Sequence, residues 1–330
     1  GQKATDDDAS IHIQSENGYI KIESDDTLIL KGKMMLSEKT LECSFLQPLS
    51  EKFESYLKKD LASLGENNKL REACEYSLNS GGKRIRPLIV IMVAKALKNN
   101  LDVMEACLSV EYFHTSSLIA DDLPCMDNDD FRRNKPTLHK VYGETVSILA
   151  SYAFISSGYE KIFQSVKVLS KQKKPFSERA NETCVIALDT ATRCSGISGA
   201  VGGQFKDLFP TSFNLKESLD VIYKKTVSLF EIAFVFGWIF GGGSLACVEK
   251  VRKLSFHFGL AFQIADDICD TKEDRKNSLN IAHVLGEKDA RSLYESEINL
   301  FYKNQEKLEI CSPEFQKMVE FLNYRVGLAS

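Results

Sequence analysis

No CxxC pair occurs among the nine cysteines, which fall singly at positions 43, 74, 107, 125, 184, 194, 247, 269 and 311. That scatter excludes a zinc ribbon or a disulfide framework and implies reduced thiols in a cytoplasmic setting. No run reaches the ~18 apolar residues of a membrane span. The longest contender, "LFEIAFVFGWIFGGG" from Leu229, carries Glu231 and ends in three glycines, so it reads as a buried helix. Basic residues form no broad stripe: the formal charge is −4, and "GGKRIRP" and "DFRRNKP" alternate with acidic clusters, which argues against nucleic acid as a partner. No basic-then-apolar order opens the chain, so a secretory leader is not expected.

What is present is globular composition, 43% apolar and 27% charged, over 330 residues, enough to bury a full core. From about residue 45 onward apolar residues recur three and four apart, through "FLQPLSEKFESYLKKDL", "PLIVIMVAKAL", "KVRKLSFHFGLAFQIADDI" and "SPEFQKMVEFLNYRV" among others. About ten helices with short joints, and no strand-helix alternation, predict an all-α bundle. The first 33 residues differ. "IHIQSENGYIKIES" alternates around Asn17-Gly18, a type I′ hairpin signal, and "TLILKGK" offers another strand. Residues 1–33 therefore read as an extension (a small β appendage, added upstream sequence or a disordered tail), and residues 34–330 as the helical domain.

Two acidic runs stand on that helical text. "ADDLPCMDNDDFRR", residues 120–133, gathers five aspartates, and "QIADDICD" spans 263–270. Pro124 ends the first helix, which puts Asp121 and Asp122 at its C-terminus and Asp127 on the loop beyond. A helix C-terminus is the wrong pole for anions. In the second run Asp266 and Asp270 share a helical face, where like charges repel. One counter-cation relieves both runs. Oxygen ligands without His or Cys favour Mg²⁺, which keeps waters and completes its shell with substrate phosphates. Either run alone reads equally well as a hydrated acidic surface; two runs ending core-facing helices do not. The cations supply the other half. Two glycines precede Lys83, Arg84 and Arg86, while Arg132 and Arg133 follow the first acidic run, so two phosphorylated substrates are expected, one of them bridged by metal.

From about residue 45 to 326 the chain resembles the trans-isoprenyl diphosphate synthases, on "GGKRIRP", "HTSSLIADDLPCMDNDDFRRNKPTLHKVYGE", "GAVGGQFKDL", "KKT" and "FQIADDICD" in the family's order. The resemblance implies the isoprenoid-synthase helical bundle around a central cavity. It implies an allylic diphosphate gripped through Mg²⁺ by Asp121, Asp122 and Asp127 on one wall and by Asp266, Asp267 and Asp270 on the other. Isopentenyl diphosphate is then expected on Lys83, Arg86, His114 and Arg133, with Arg132, Lys225, Thr226 and Gln263 facing the allylic partner. A homodimer is implied as well. His139 and His283 read as structural.

Departures accompany the match. After "DDICD" the family's Gly-Lys lid segment is missing, and Lys272, Arg275 or Lys276 are the candidates to replace its lysine. Asn134 stands where glycine is commoner, and Ala120 where histidine is. Ser117, Ser116, Phe113 and Tyr112 lie four, five, eight and nine residues before Asp121, on the side along which a prenyl tail grows. Two serines followed by an aromatic floor favour a C20 product, geranylgeranyl diphosphate, with farnesyl or longer polyprenyl diphosphates as alternatives. Three rival classes compete with this reading. A terpene cyclase needs an Asn/Asp–Ser–Glu triad in place of the second aspartate run, and a head-to-head synthase lacks "GGKRIRP". A weakly active regulatory subunit is separated from a synthase only by activity of the isolated chain.

Overall fold

A computed structural model describes residues 46–62, 64–271 and 279–328. The expected N-terminal hairpin around Asn17-Gly18 and the three candidate lid cations, Lys272, Arg275 and Lys276, lie outside the described residues. The chain divides after Gln47, and everything from Pro48 onward packs as one unit.

That unit is helical, as its periodicity predicts. In chain order it runs α1 (Gln47–Leu61), α2 (Lys69–Asn79), α3 (Ile85–Ala96), α4 (Met104–Asp121), α5 (Leu138–Tyr142), α6 (Glu144–Ser170), α7 (Ala180–Ser195), α8 (Ala200–Leu208), α9 (Leu215–Ile222), α10 (Ser228–Phe240), α11 (Val248–Asp270), α12 (Ile281–Leu285), α13 (Glu287–Leu308) and α14 (Pro313–Arg325). Side-chain caps set several starts. Asn68 accepts from the backbone N–H groups of Leu70 and Arg71, Asn214 from Glu217, and Ser312, followed by Pro313, from Phe315. No helix among the described residues is long and apolar enough to cross a membrane.

The core forms around α10, all thirteen residues of which are buried, as a helix hydrophobic on every face must be. It packs against α3, α7 and α11. Its Phe230 and Phe234 meet Phe258 of α11 at centroid distances of 5.4 Å each, and Phe234 stacks on Phe315 of α14 at 5.8 Å. Each such pair adds about 0.5–1.5 kcal/mol beyond the area it buries. Against this core α4 and α6 form the most extensive helix pair, and α4 is buried almost all round.

Two local features break the helical text. Between α4 and α5 a two-stranded ribbon, β1 (Phe131–Arg132) and β2 (Lys135–Pro136), pairs antiparallel with Arg132 opposite Lys135. Its turn residues Arg133 and Asn134 both have positive φ, 53° and 61°, the type I′ geometry that asparagine tolerates. Between α9 and α10 the helix widens into a π turn over Tyr223–Val227. Periodicity alone predicts one continuous helix there, because an extra residue in a turn leaves no mark on apolar spacing.

Candidate active site

The loop before α3 builds a cationic pocket. Arg84 has a left-handed φ of 49°, and its buried guanidinium pairs with Glu54 at 2.7 Å and Glu111 at 2.5 Å. This arginine pins the loop and leaves its neighbours to turn elsewhere. Lys83, Arg86, His114 and Arg133 all line one cavity of about 520 Å³ together with Gly81 and Gly82. Arg133 donates to the Gly81 carbonyl, and a Cβ on Gly82, whose φ is +134°, would lie 2.3 Å from Arg133 Nη1. At that φ only glycine is unstrained, and its missing Cβ leaves the space that the Arg133 guanidinium fills.

Arg86 lies 4.4 Å from the Phe230 ring centre and 3.3 Å from His114 Nε2. Its Nε and His114 Nδ1 are buried without hydrogen-bond partners. Burial, reinforced by Arg133 and opposed by Glu111 and Asp266, brings the Arg86 pKa down to about 10. Burial and then the surrounding arginines push His114 well below the usual histidine range, so its ring is neutral at pH 7. Repelling cations with unsatisfied donors, gathered over one cavity, form a receptor for an anion.

The first acidic run stands where its sequence predicts. Asp121 is the last residue of α4, and the loop folds back so that the Asp127 backbone N–H donates to the Asp121 carbonyl at 2.9 Å. The Asp121 carboxylate makes no hydrogen bond or ion pair among the described residues. Burial, with Asp127 and Asp122 adding to it against Lys225 and Arg132, raises its pKa to about 7. Asp122 is clamped by Arg132 at 2.5–2.9 Å, so both of those side chains are engaged with one another. Asp127 accepts from Gln204 Nε2 at 3.1 Å and lies 3.9 Å from Lys225 Nζ, which itself pairs with Asp207 at 2.5 Å.

The π turn carries the connection to the second run. Beside Lys225, Thr226 donates to Gln263 at 2.8 Å, and Gln263 donates to Asp267 Oδ1 at 2.8 Å. The other oxygen of Asp267 accepts the Ile281 backbone N–H at 2.8 Å, and Asn280 donates to the Asp267 carbonyl at 2.8 Å. Asp267 thus anchors the start of α12 and has both carboxylate oxygens engaged. Asp266 pairs with Arg325, and Asp270 ends α11 one turn further on, exposed. A continuous run of contacts therefore joins Asp127, Lys225, Thr226, Gln263 and Asp267, with Asp121 and Asp266 next to its two ends. Asp266 also opposes the lowering of the Arg86 pKa, which puts the second acidic run within electrostatic reach of the cationic pocket. His139 bonds to Thr137, and His283 bonds to the Thr271 carbonyl, one residue beyond Asp270.

Among the described residues no group of three or more His, Cys, Asp and Glu side chains is arranged to hold a metal ion. The donor set nonetheless suits a divalent cation, for the Asp121 carboxylate has no ion pair and its pKa stays raised even beside Lys225 and Arg132. Sequence reading does not single out Gln204, Asp207, Gly203 or Arg325. The first three sit in "GAVGGQFKDL", a motif that supports the resemblance without assigning a role to each residue; Arg325 lies outside every motif and gives no signal.

Three comparisons bear on this geometry. A family model described as polyprenyl synthetase matches residues 67–282. The chain is 36% identical over 270 residues to the heterodimeric geranylgeranyl pyrophosphate synthase large subunit 1, chloroplastic, of Arabidopsis thaliana, covering 77% of this chain and 70% of that protein. It is 39% identical to that plant's large subunit 2, over 68% of this chain, and spans only 57% of that relative's length. Among solved structures, an FPP/GFPP synthase from Zymomonas mobilis superposes with a TM-score of 0.71 at 28% identity, over 85% of this chain and 98% of the other.

Proposed function

Because the chain belongs to the polyprenyl synthetase family, we propose that it joins isopentenyl diphosphate head-to-tail to an allylic diphosphate, with geranylgeranyl diphosphate as the product. The observation that carries this reading is the cavity shared by Lys83, Arg86, His114 and Arg133, set against two acidic runs tied together through the π turn. One diphosphate needs cations alone; the other needs carboxylates with metal between.

Asp121, Asp127 and Asp266 are the residues suited to hold Mg²⁺, with Asp122 and Asp270 at its margin and Asp267 as their anchor. When bound, magnesium withdraws charge from the leaving diphosphate and so favours ionisation of the allylic C–O bond. The chain's own residues do the rest. Lys225, Thr226, Gln263 and Arg132 position the allylic diphosphate. Lys83, Arg86 and Arg133 hold isopentenyl diphosphate, and the neutral His114 donates an N–H. The isopentenyl double bond then forms the new C–C bond at the allylic carbon, and the proton it sheds passes to the released pyrophosphate. Packed apolar helices keep water from the cation.

Product length follows from α4. Ser116 is small and buried, its hydroxyl 3.0 Å from that of Ser151 on α6. Ser117 turns its hydroxyl to the His114 carbonyl. Deeper in, Phe113 meets Tyr159 edge-on at 5.1 Å. Tyr112 turns its hydroxyl to Asp60, so the floor we assign is Phe113 with Tyr159. Farnesyl and isopentenyl diphosphates with Mg²⁺ should yield a C20 product; no elongation of farnesyl diphosphate overturns the chain-length reading. Phe113→Ala should lengthen the product beyond C20, read by chromatography of the dephosphorylated alcohols.

The names of the two Arabidopsis relatives favour a second reading, a subunit of a heteromeric synthase; product formation by the isolated chain decides between that and a self-sufficient homodimer. The eight cysteines among the described residues are free, in keeping with a reducing compartment. Free thiols suit any reducing compartment, and of these we propose the cytoplasm. The relatives named chloroplastic make a plastid the competing address, which localisation of the tagged full-length protein resolves.

A further inference from the structure

The C-terminal helix brings two side chains to the site. Phe321 and Arg325 are four residues apart, on one face of α14. Arg325 donates from Nη1 to Asp266 Oδ1, with side-chain exposures of 22% and 29%, so the pair is mostly enclosed. Cys269 Sγ, 3.4 Å away, donates to the Arg325 carbonyl and fastens the end of α14 to the end of α11. Phe321 is buried, and Lys83 Nζ stands 4.9 Å from its ring centre. One helix thus touches the second acidic run through Arg325 and the cationic pocket through Phe321.

That placement creates a competition. A guanidinium and a divalent cation on the Asp266 carboxylate repel one another and compete for its charge, and a guanidinium displaced from it has a second partner of matching geometry in a diphosphate. We propose that Arg325 is a positioning residue that couples the two substrate sites. It holds the Asp266 carboxylate until a divalent cation claims it, and the released guanidinium then turns to the diphosphate seated at Lys83 and Arg86. Cation binding and isopentenyl diphosphate binding strengthen one another as a result. The inference deepens the prenyl-transfer reading and rests on it.

The test uses the full chain, with Arg325→Gln and Arg325→Lys. Mn²⁺ binding is followed by electron paramagnetic resonance without any diphosphate, and isopentenyl diphosphate kinetics are measured separately. Removing the competitor should tighten Mn²⁺ binding about tenfold in R325Q, equivalent to about 1.4 kcal/mol. The same variant should raise KM for isopentenyl diphosphate about tenfold while kcat changes less. R325K keeps the charge but not the fork, so it should retain the weaker Mn²⁺ affinity and still lose KM. A merely structural arginine would weaken Mn²⁺ binding or leave it unchanged. Unchanged Mn²⁺ affinity or unchanged KM in R325Q overturns the coupling, and should R325Q not fold, an unchanged KM in R325K does so. A wild-type chain that neither binds Mn²⁺ nor forms prenyl product removes the prenyl-transfer reading, and the coupling with it. Product formation by the wild type with unaltered R325Q removes the coupling alone.

Discussion

A carboxylate at the C-terminal pole of a helix, enclosed by protein and without an ion pair, is an unfavourable charge, and Asp121 is such a group. Burial raises its pKa to about 7 in the folded chain, against an ordinary value of 3.8. The folded state therefore binds more protons than the unfolded chain between about pH 4 and pH 7, and stability falls as pH rises through that window before levelling off. Asp121→Asn removes the charge but keeps the shape. In EDTA at pH 8 the variant should melt several degrees above the wild type, and at pH 3.5 the difference should vanish. Prenyl transfer should meanwhile drop by roughly 10²-fold or more, since the proposed Mg²⁺ ligand is lost. Equal melting temperatures at pH 8 would show that Asp121 is compensated in solution by a partner the site does not otherwise reveal.

Among the elements, the π turn is the least legible and the most consequential. The all-α class, the helix ends at Asp121 and Asp270 and the capped start of α14 follow from apolar spacing, Pro124 and Ser312-Pro313, which act within a few residues. The type I′ ribbon at Arg133-Asn134 escapes sequence reading because its strands are too short to show alternation. Lys225's partner Asp207 and Asp127's partner Gln204 lie 18 and 77 residues away, and Arg325 stands 59 residues from Asp266. Tertiary packing decides such pairings, and periodicity does not reach them. Asp267 reads as one more carboxylate in "DDICD", yet it serves as the anchor of α12. The close approach of α8 to the π turn rests on Gly203, where a Cβ would lie 2.4 Å from the Lys225 backbone nitrogen. Backbone cannot yield as a flexible side chain does. Gly203→Ala should therefore shift the turn and draw Lys225 and Thr226 out of line, lowering kcat roughly 10²-fold. Its helical circular dichroism should match the wild type; an alanine variant of normal kcat would mean that α8 can move aside freely.

At the scale of the molecule, one surface remains unexplained by the site. On α6, Ile148, Leu149, Tyr152, Ile155 and Phe163 are exposed, and Ile148, Tyr152, Ile155 and Phe163 recur at helical spacing along one face. On α7, Val185 is 68% and Leu188 41% exposed. These helices pack together, so their exposed apolar residues lie on neighbouring elements, and clustered apolar surface is a candidate protein contact. In the proposed homodimer the same face of a second copy would cover it, which a two-fold axis permits. Because α6 also backs Ser116 and Phe113, this face lies behind the wall proposed to limit the growing tail. Tyr152→Asp combined with Ile155→Asp puts charge into the middle of that face, which an apolar interface cannot solvate. The double variant should sediment as a monomer where the wild type sediments at twice the chain mass, and it should keep its helical spectrum. A wild-type chain that is monomeric alone and pairs only with a different subunit would instead favour the heteromeric reading, and the same two substitutions should then abolish that pairing. A variant that still dimerises would place the interface elsewhere.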